Sequence, residues 1–373
     1  MLRRSLLLWG FATLGGAGCG GSSHSPGTAD SRPATDALGD APADGMASCA
    51  GSGCDLSCDP ADSWLALTRG PGTGIGDSEP VSPAEIGDAS WHLFVGNNVS
   101  DSATPNVFIY EATASAPDAA FTLADAALST TRDTYDAAGA ETPSYLRADE
   151  HREYIYYCAV ESYTAPSAHI AALRRVDGGV WTKVGVVAPN AADELTQCEP
   201  NIVRDPASGM IVMQYLTLTA TRVQERQRTS ADPEQFATAT LTTTIDNDPT
   251  QPFPNRLALS RDPFANVWRT AYDQALGNYA MHTVQVWSAH PSITAADLPR
   301  AQTLHDGAHA IHLDLHTDFT GCDMTSCPQG AVLQPSKAIY PDASDVIFYY
   351  SGWNESGVAA QLQINGQRCH RGA

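Results

Sequence analysis

Residues 139–160 read GAETPSYLRADEHREYIYYCAV. One carboxylate, Glu141, stands just ahead of a proline. A polar turn follows, and then a run dense in Tyr and Ile. β-Branched and aromatic residues bounded by turn residues read as strands, so this stretch is a short strand, a turn and a longer strand. The pattern recurs. SEPVSPAEIGDASWHLFVGNN (78–98) carries Glu79-Pro80 before an aromatic strand, and CEPNIVRDPASGMIVMQY (198–215) carries Glu199-Pro200 before another. LQPSKAIYPDASDVIFYYSGW (333–353) keeps Pro335 but has Gln334 where the acid is expected.

The three acids are 62 and 58 residues apart, and 135 residues, about two such steps, separate Glu199 from Gln334. One degenerate unit therefore belongs between them, giving five. Segments 112–121, 229–236 and 257–268 share a small-polar run, a turn and an aromatic, as expected of an outer strand turning into a further one. Multi-strand units of this length without helical periodicity predict an all-β, five-bladed β-propeller. A β-sandwich with chance similarity is the alternative.

The ends of the chain carry an address. Arg3 and Arg4 precede a short apolar run at residues 5–14, too short to span a bilayer, and small residues lead to Cys19. Residues 1–19 read as an export signal with a lipobox-like cysteine. Cys19 would be lipidated, although Gly16 stands where Leu is usual in such a box. The arginine pair also permits twin-arginine export, and an ordinary cleaved signal is the alternative. Residues 20–48 are rich in Gly, Ser, Ala, Pro and Asp and read as a disordered tether to a domain at 49–373. Export implies an oxidising compartment, so the eight remaining cysteines are expected in disulfides. A local bridge from Cys322 to Cys327 and a bridge joining Cys369 to one of Cys49, Cys54 or Cys58 are the expected pairings. Net charge is −21 with only two lysines, which disfavours nucleic acid as a partner. Membrane contact is expected through the lipid alone, and the chain is expected to be a monomer. The sequence carries no G-x-S-x-G, P-loop or dinucleotide fingerprint.

A propeller with an acid at the first strand of successive blades resembles the glycoside hydrolase family 43 and family 32 group, over roughly residues 60–365. The resemblance implies a hydrolase of extracellular oligo- or polysaccharide. One carboxyl would protonate the leaving oxygen and another would activate water or attack the anomeric carbon. By blade position Glu199 resembles the general acid, and Glu141 the acid that tunes its pKa and orients the sugar. Asp77 or Glu79 resembles the base or nucleophile. The group usually has Asp in its first two blades, and a Glu reaches about one methylene further. A carbohydrate-binding propeller without catalysis is the alternative, and each Glu read singly is a strand-end residue making turn hydrogen bonds.

In AIHLDLH, His312, Asp314 and His316 alternate with apolar residues and share a strand face. They read either as a metal set or as a polar outer face. Calcium near the axis of some family 43 members keeps the metal reading in view. Trp91, Tyr145, Trp287 and Trp353 could stack on sugars or pack between blades. Residues 230–255 extend the third unit and read as an insertion over the site or as the outer strands of a separate blade.

Overall fold

The computed structural model describes residues 54–67, 74–99, 106–163, 167–248, 253–255, 257–276, 279–306, 331–354 and 363–372. The described strands fall into consecutive antiparallel units. The first holds β2 (Gly74–Val81), β3 (Trp91–Asn98), β4 (Val107–Ala114) and the short β5 (Thr122–Leu123). The second holds β6 (Gly139–Arg147), β7 (Arg152–Ser162), β8 (Ser167–Val176) and β9 (Thr182–Ala188). A parallel bridge between Val107 and Gly139 joins these two units into one sheet. The third holds β10 (Glu194–Arg204), β11 (Ile211–Thr219), β12 (Val223–Ser230) and β13 (Leu241–Asn247). In the fourth, β14 (Phe253–Pro254) and β15 (Ala258–Asp262) both pair with β16 (Val267–Leu276), which is followed by β17 (Tyr279–Ser288) and β18 (Gln302–Asp306).

The fifth unit is completed from the other end of the chain. β19 (Ala331–Pro335), β20 (Asp345–Asn354) and β21 (Gln363–Arg371) are joined by β1 (Leu56–Leu67), which adds antiparallel to β21. First strands of neighbouring units touch, β2 with β6 and β6 with β10. β10 then meets β15, β16 meets β19, and β20 returns to β2. The described strands thus close a ring, and the chain is a β-propeller.

The opening sequence shows why. A blade is buried on both faces by its neighbours, so its central strand cannot alternate polar with apolar. In β7, Tyr154 and Tyr156 pack with Ile202, Met213 and Tyr215 of the third unit. The intervening Ile155, Tyr157 and Ala159 pack with Phe94 and Ile109 of the first. Both parities of the strand are therefore apolar.

Disulfides lock two of the seams. Cys58–Cys369 ties β1 to β21, and Cys158–Cys198 ties the second unit to the third. The first is the expected bridge between chain ends; the second had no local signature in the sequence. Cys54 is also disulfide-bonded. Cys19 and the Cys322–Cys327 expectation lie outside the described residues.

Three sequence expectations shift in register. Residues 257–268 form the hairpin from first to second strand of the fourth unit, not an outer strand. Leu241–Asn247, within the stretch whose role was open, is the outer strand β13 of the third unit. Gln334 pairs with Ser351, and the ladder break that marks the first strands of other units comes later, between Pro335 and Ile339.

Candidate active site

Each of the first three units has an irregularity at one position of its first strand. Pairing skips between Gly76 and Glu79, between Glu141 and Ser144, and between Cys198 and Asn201. In each case two residues face one on the partner strand, which defines a β-bulge. The first bulged residues are Asp77, Thr142 and Glu199, and all three have positive φ, at 54°, 52° and 55°. A bulge residue in this left-handed conformation is ordinarily glycine, and a β-branched threonine there is an outlier. Strain repeated at one register in three units is held by the surrounding packing, and such positions cluster at functional sites.

The bulges also correct the alignment. Counted from the prolines, Glu79 matches Glu141 and Glu199. Counted from the ladder, Asp77 matches Thr142 and Glu199, Glu141 lies one residue earlier, and Glu79 falls beyond the bulge opposite Phe94. There Glu79 accepts from the Tyr145 amide at 2.8 Å and from Lys337 Nζ at 2.9 Å, so it links the first, second and fifth units. Burial raises its carboxyl to about 8, against the pull of Lys337. Simple strand alternation would put Asp77 and Glu79 on one face; the bulge between them breaks that alternation.

Asp77, Glu141 and Glu199 are 1, 2 and 2% exposed. Burial is the largest cause of the raised pKa of each, and repulsion from neighbouring carboxyls adds to it for Asp77 and Glu199. Asp77 is pushed well up by burial and then by Glu141, with the Thr142 amide opposing. Glu199 is pushed well up by burial, then by Asp77, Asp273, Glu141 and Glu225. Glu141 rises only to about 7, because Tyr163 donates a hydrogen bond to it and the Arg132 cation is near. Three carboxyls from three units therefore share one electrostatic environment.

Asp273 and Glu225 belong to the same environment and were not singled out from sequence. Asp273 sits on β16 and receives the Asn255 amide at 3.2 Å. Glu225 sits on β12, is 1% exposed and is raised by burial alone. Neither precedes a proline or heads a unit, so the repeat could not mark them. Asn201, just past the third bulge, is buried with no hydrogen-bond partner for either amide atom. Buried amides of this kind normally meet water or ligand.

His312, Asp314 and His316 lie outside the described residues. Among the described residues no group of three or more His, Cys, Asp or Glu could hold a metal ion. Tyr145 is not a sugar platform: it is 1% exposed, stacks on Phe94 and donates to Glu153 at 2.6 Å.

Among solved structures the chain resembles a family 117 glycoside hydrolase of the marine bacterium Zobellia galactanivorans. The match has TM-score 0.53 and 12% identity and covers 83% of this chain and 90% of that one. It also resembles a thermostable family 43 glycoside hydrolase, with TM-score 0.52, 11% identity and coverage of 81% and 92%. An exo-β-1,3-galactanase of Phanerochaete chrysosporium matches with TM-score 0.53 and 11% identity over 81% of this chain and 64% of that one. The fold is that of the propeller glycoside hydrolases. No protein-family model and no curated protein sequence matches the chain.

Proposed function

We propose that this propeller is a glycoside hydrolase acting on an extracellular oligo- or polysaccharide. The observation that carries the reading is the burial of Asp77, Glu141 and Glu199 at or beside the first-strand bulges of three successive units, two of them strained at the same register. Glycoside cleavage needs one carboxyl that keeps its proton and another that has lost it. In this reading Glu199, repelled by four neighbouring carboxyls, holds the proton and gives it to the leaving oxygen. Asp77, held high by burial and by Glu141 but receiving the Thr142 amide, activates water or attacks the anomeric carbon once it has lost its proton. Glu141 sets the proton affinity of both. Glu79, tied to Lys337 and the Tyr145 amide, supports the strand rather than the reaction.

The sugar-bound and sugar-cleaving proteins of the same fold support carbohydrate as ligand. The export signal, the lipid at Cys19 and the tether of residues 20–48 belong to the same proposal, which the disulfides favour. Among the described residues no helix is long and apolar enough to cross a membrane.

The test is reducing-end release from a panel of plant, fungal and bacterial glycans by residues 45–373. Wild type is compared with Glu199→Gln, Asp77→Asn and Glu79→Gln. Release lost in the first two and retained in the third supports the reading. Binding by calorimetry without release on any glycan would replace the hydrolase with a carbohydrate-binding propeller.

A further inference from the structure

Tyr163 lies just beyond the end of β7, where the chain turns back over the start of β6. Its hydroxyl donates to Glu141 Oε1. The contact depends on Gly139: a β-carbon there would collide with the tyrosine hydroxyl, and it would stand 3.6 Å from Glu141 Oε1. Glycine is otherwise unfavourable in a strand, and here it leaves room for a side chain that would have no other path to the carboxyl. The ring itself packs against the cluster of Cys158, Val160, Ala168 and Cys198, and so against the disulfide that joins the second and third units. Cys198 is the residue before Glu199, so the disulfide against which the tyrosine packs also anchors the strand that carries the neighbouring acid.

On its other side Glu141 feels Arg132. That guanidinium lies 3.7 Å over the Phe108 ring and donates to the Val107 carbonyl at 2.7 Å and to Asn106 Oδ1 at 2.8 Å. Tyr163 and Arg132 thus favour the charge of Glu141 against its burial, and that charge in turn raises Asp77 and Glu199. A phenol donating to a single carboxylate oxygen fixes the plane of the group and leaves the second oxygen for a ligand or a neighbouring acid.

We infer that Tyr163, seated over Gly139 and braced by the Cys158–Cys198 disulfide, is the positioning residue for the Glu141 carboxylate. It acts through Glu141 and need not touch substrate. The inference rests on the proposed function only in taking Glu141 as part of the reacting site. Its consequence is that Tyr163 limits how far burial lifts Glu141, the acid that in this reading sets the proton affinity of Asp77 and Glu199.

The decisive experiment does not require activity. Protein labelled with 13C at glutamate Cδ is titrated by NMR, and the Glu141 resonance is assigned from its loss in Glu141→Gln. In Tyr163→Phe the midpoint for Glu141 is expected to move up by about one pH unit, the size of a lost charge-assisted hydrogen bond. Gly139→Ala keeps the tyrosine but pushes its hydroxyl aside, and should move the midpoint the same way. This second variant decides the matter if Tyr163→Phe does not fold. An unmoved midpoint in folded protein overturns the inference, and a lower melting temperature without that movement assigns Tyr163 to packing alone. If wild type cleaves a glycan, Tyr163→Phe should lower kcat about tenfold with KM little changed. If it cleaves none, the functional proposal falls while the titration still decides the role of Tyr163.

Discussion

The seam at Cys58–Cys369 permits a sharp test of what holds the ring closed. The two cysteines are 311 residues apart, against 40 for Cys158–Cys198. In the chain-entropy account a crosslink stabilises by restricting the unfolded chain, more for a longer loop. Applied to these separations it gives about 6 kcal/mol for the first bridge and about 4 kcal/mol for the second. The perturbation is the paired change Cys58→Ser with Cys369→Ser, compared with Cys158→Ser and Cys198→Ser. Urea unfolding followed by Trp fluorescence gives the free energies, and calorimetry gives the melting temperatures. Opening the terminal bridge should cost about 2 kcal/mol more than opening the inner one. At about 1–2 °C per kcal/mol for a chain of this size, the terminal variant should melt roughly 6–12 °C below wild type. Equal losses, or a larger loss for Cys158–Cys198, would refute the entropic reasoning. The contacts around Cys198, including the Tyr163 ring, would then be the stronger constraint.

Other expectations follow from the buried acids. Glu79 and Glu141 are raised to about 8 and about 7 in the fold, above their value in an unfolded chain. The folded state therefore binds protons more tightly, and their contribution to stability is fully present below about pH 4.5 and is lost as pH rises through 7 and 8. Melting temperature should fall between pH 5 and pH 8.5, with a free-energy change on the order of a few kcal/mol; a flat or rising profile contradicts the burial argument. Lys337→Met removes the cation beside Glu79, raises that carboxyl further, and should destabilise more at pH 9 than at pH 6, by about 1–3 kcal/mol, with most of the loss recovered in Glu79→Met/Lys337→Met. A double variant no better than the single one would show that Lys337 does not serve as the counter-charge. Glu199→Gln should abolish glycan release with little change in melting temperature.

The propeller was legible because three units repeat a strand entered through an acid and a proline at near-constant spacing, and because the apolar runs lack alternation. The acids were legible as a set for the same reason. Their registers were not, because a bulge inserts one residue without altering composition. Glu79-Pro80 looks like Glu199-Pro200 in the sequence, yet the ladder puts Asp77 opposite the break and Glu79 beyond it. Asp273 and Glu225 were invisible for a different reason. Asp273 comes from the second strand of the next unit and Glu225 from the third strand of the same unit as Glu199, and only strand pairing and blade packing bring them near it. Tyr163 follows a strand end with no pattern of its own, and the one trace it leaves is glycine at position 139.

β1 finds its partner only when β21 exists. A ribosome or an export channel delivers the chain from its N-terminal side, so residues 56–67 emerge early and must wait some 300 residues for the strand they pair with. Until then the nascent protein holds an open arc of blades with bare strand edges at both ends, the kind of surface that pairs wrongly with another copy. Delivery therefore ends with a late docking event, and oxidation of Cys58 with Cys369 is its covalent record. The yield of that one disulfide in pulse-labelled cells would time the moment when the circle shuts.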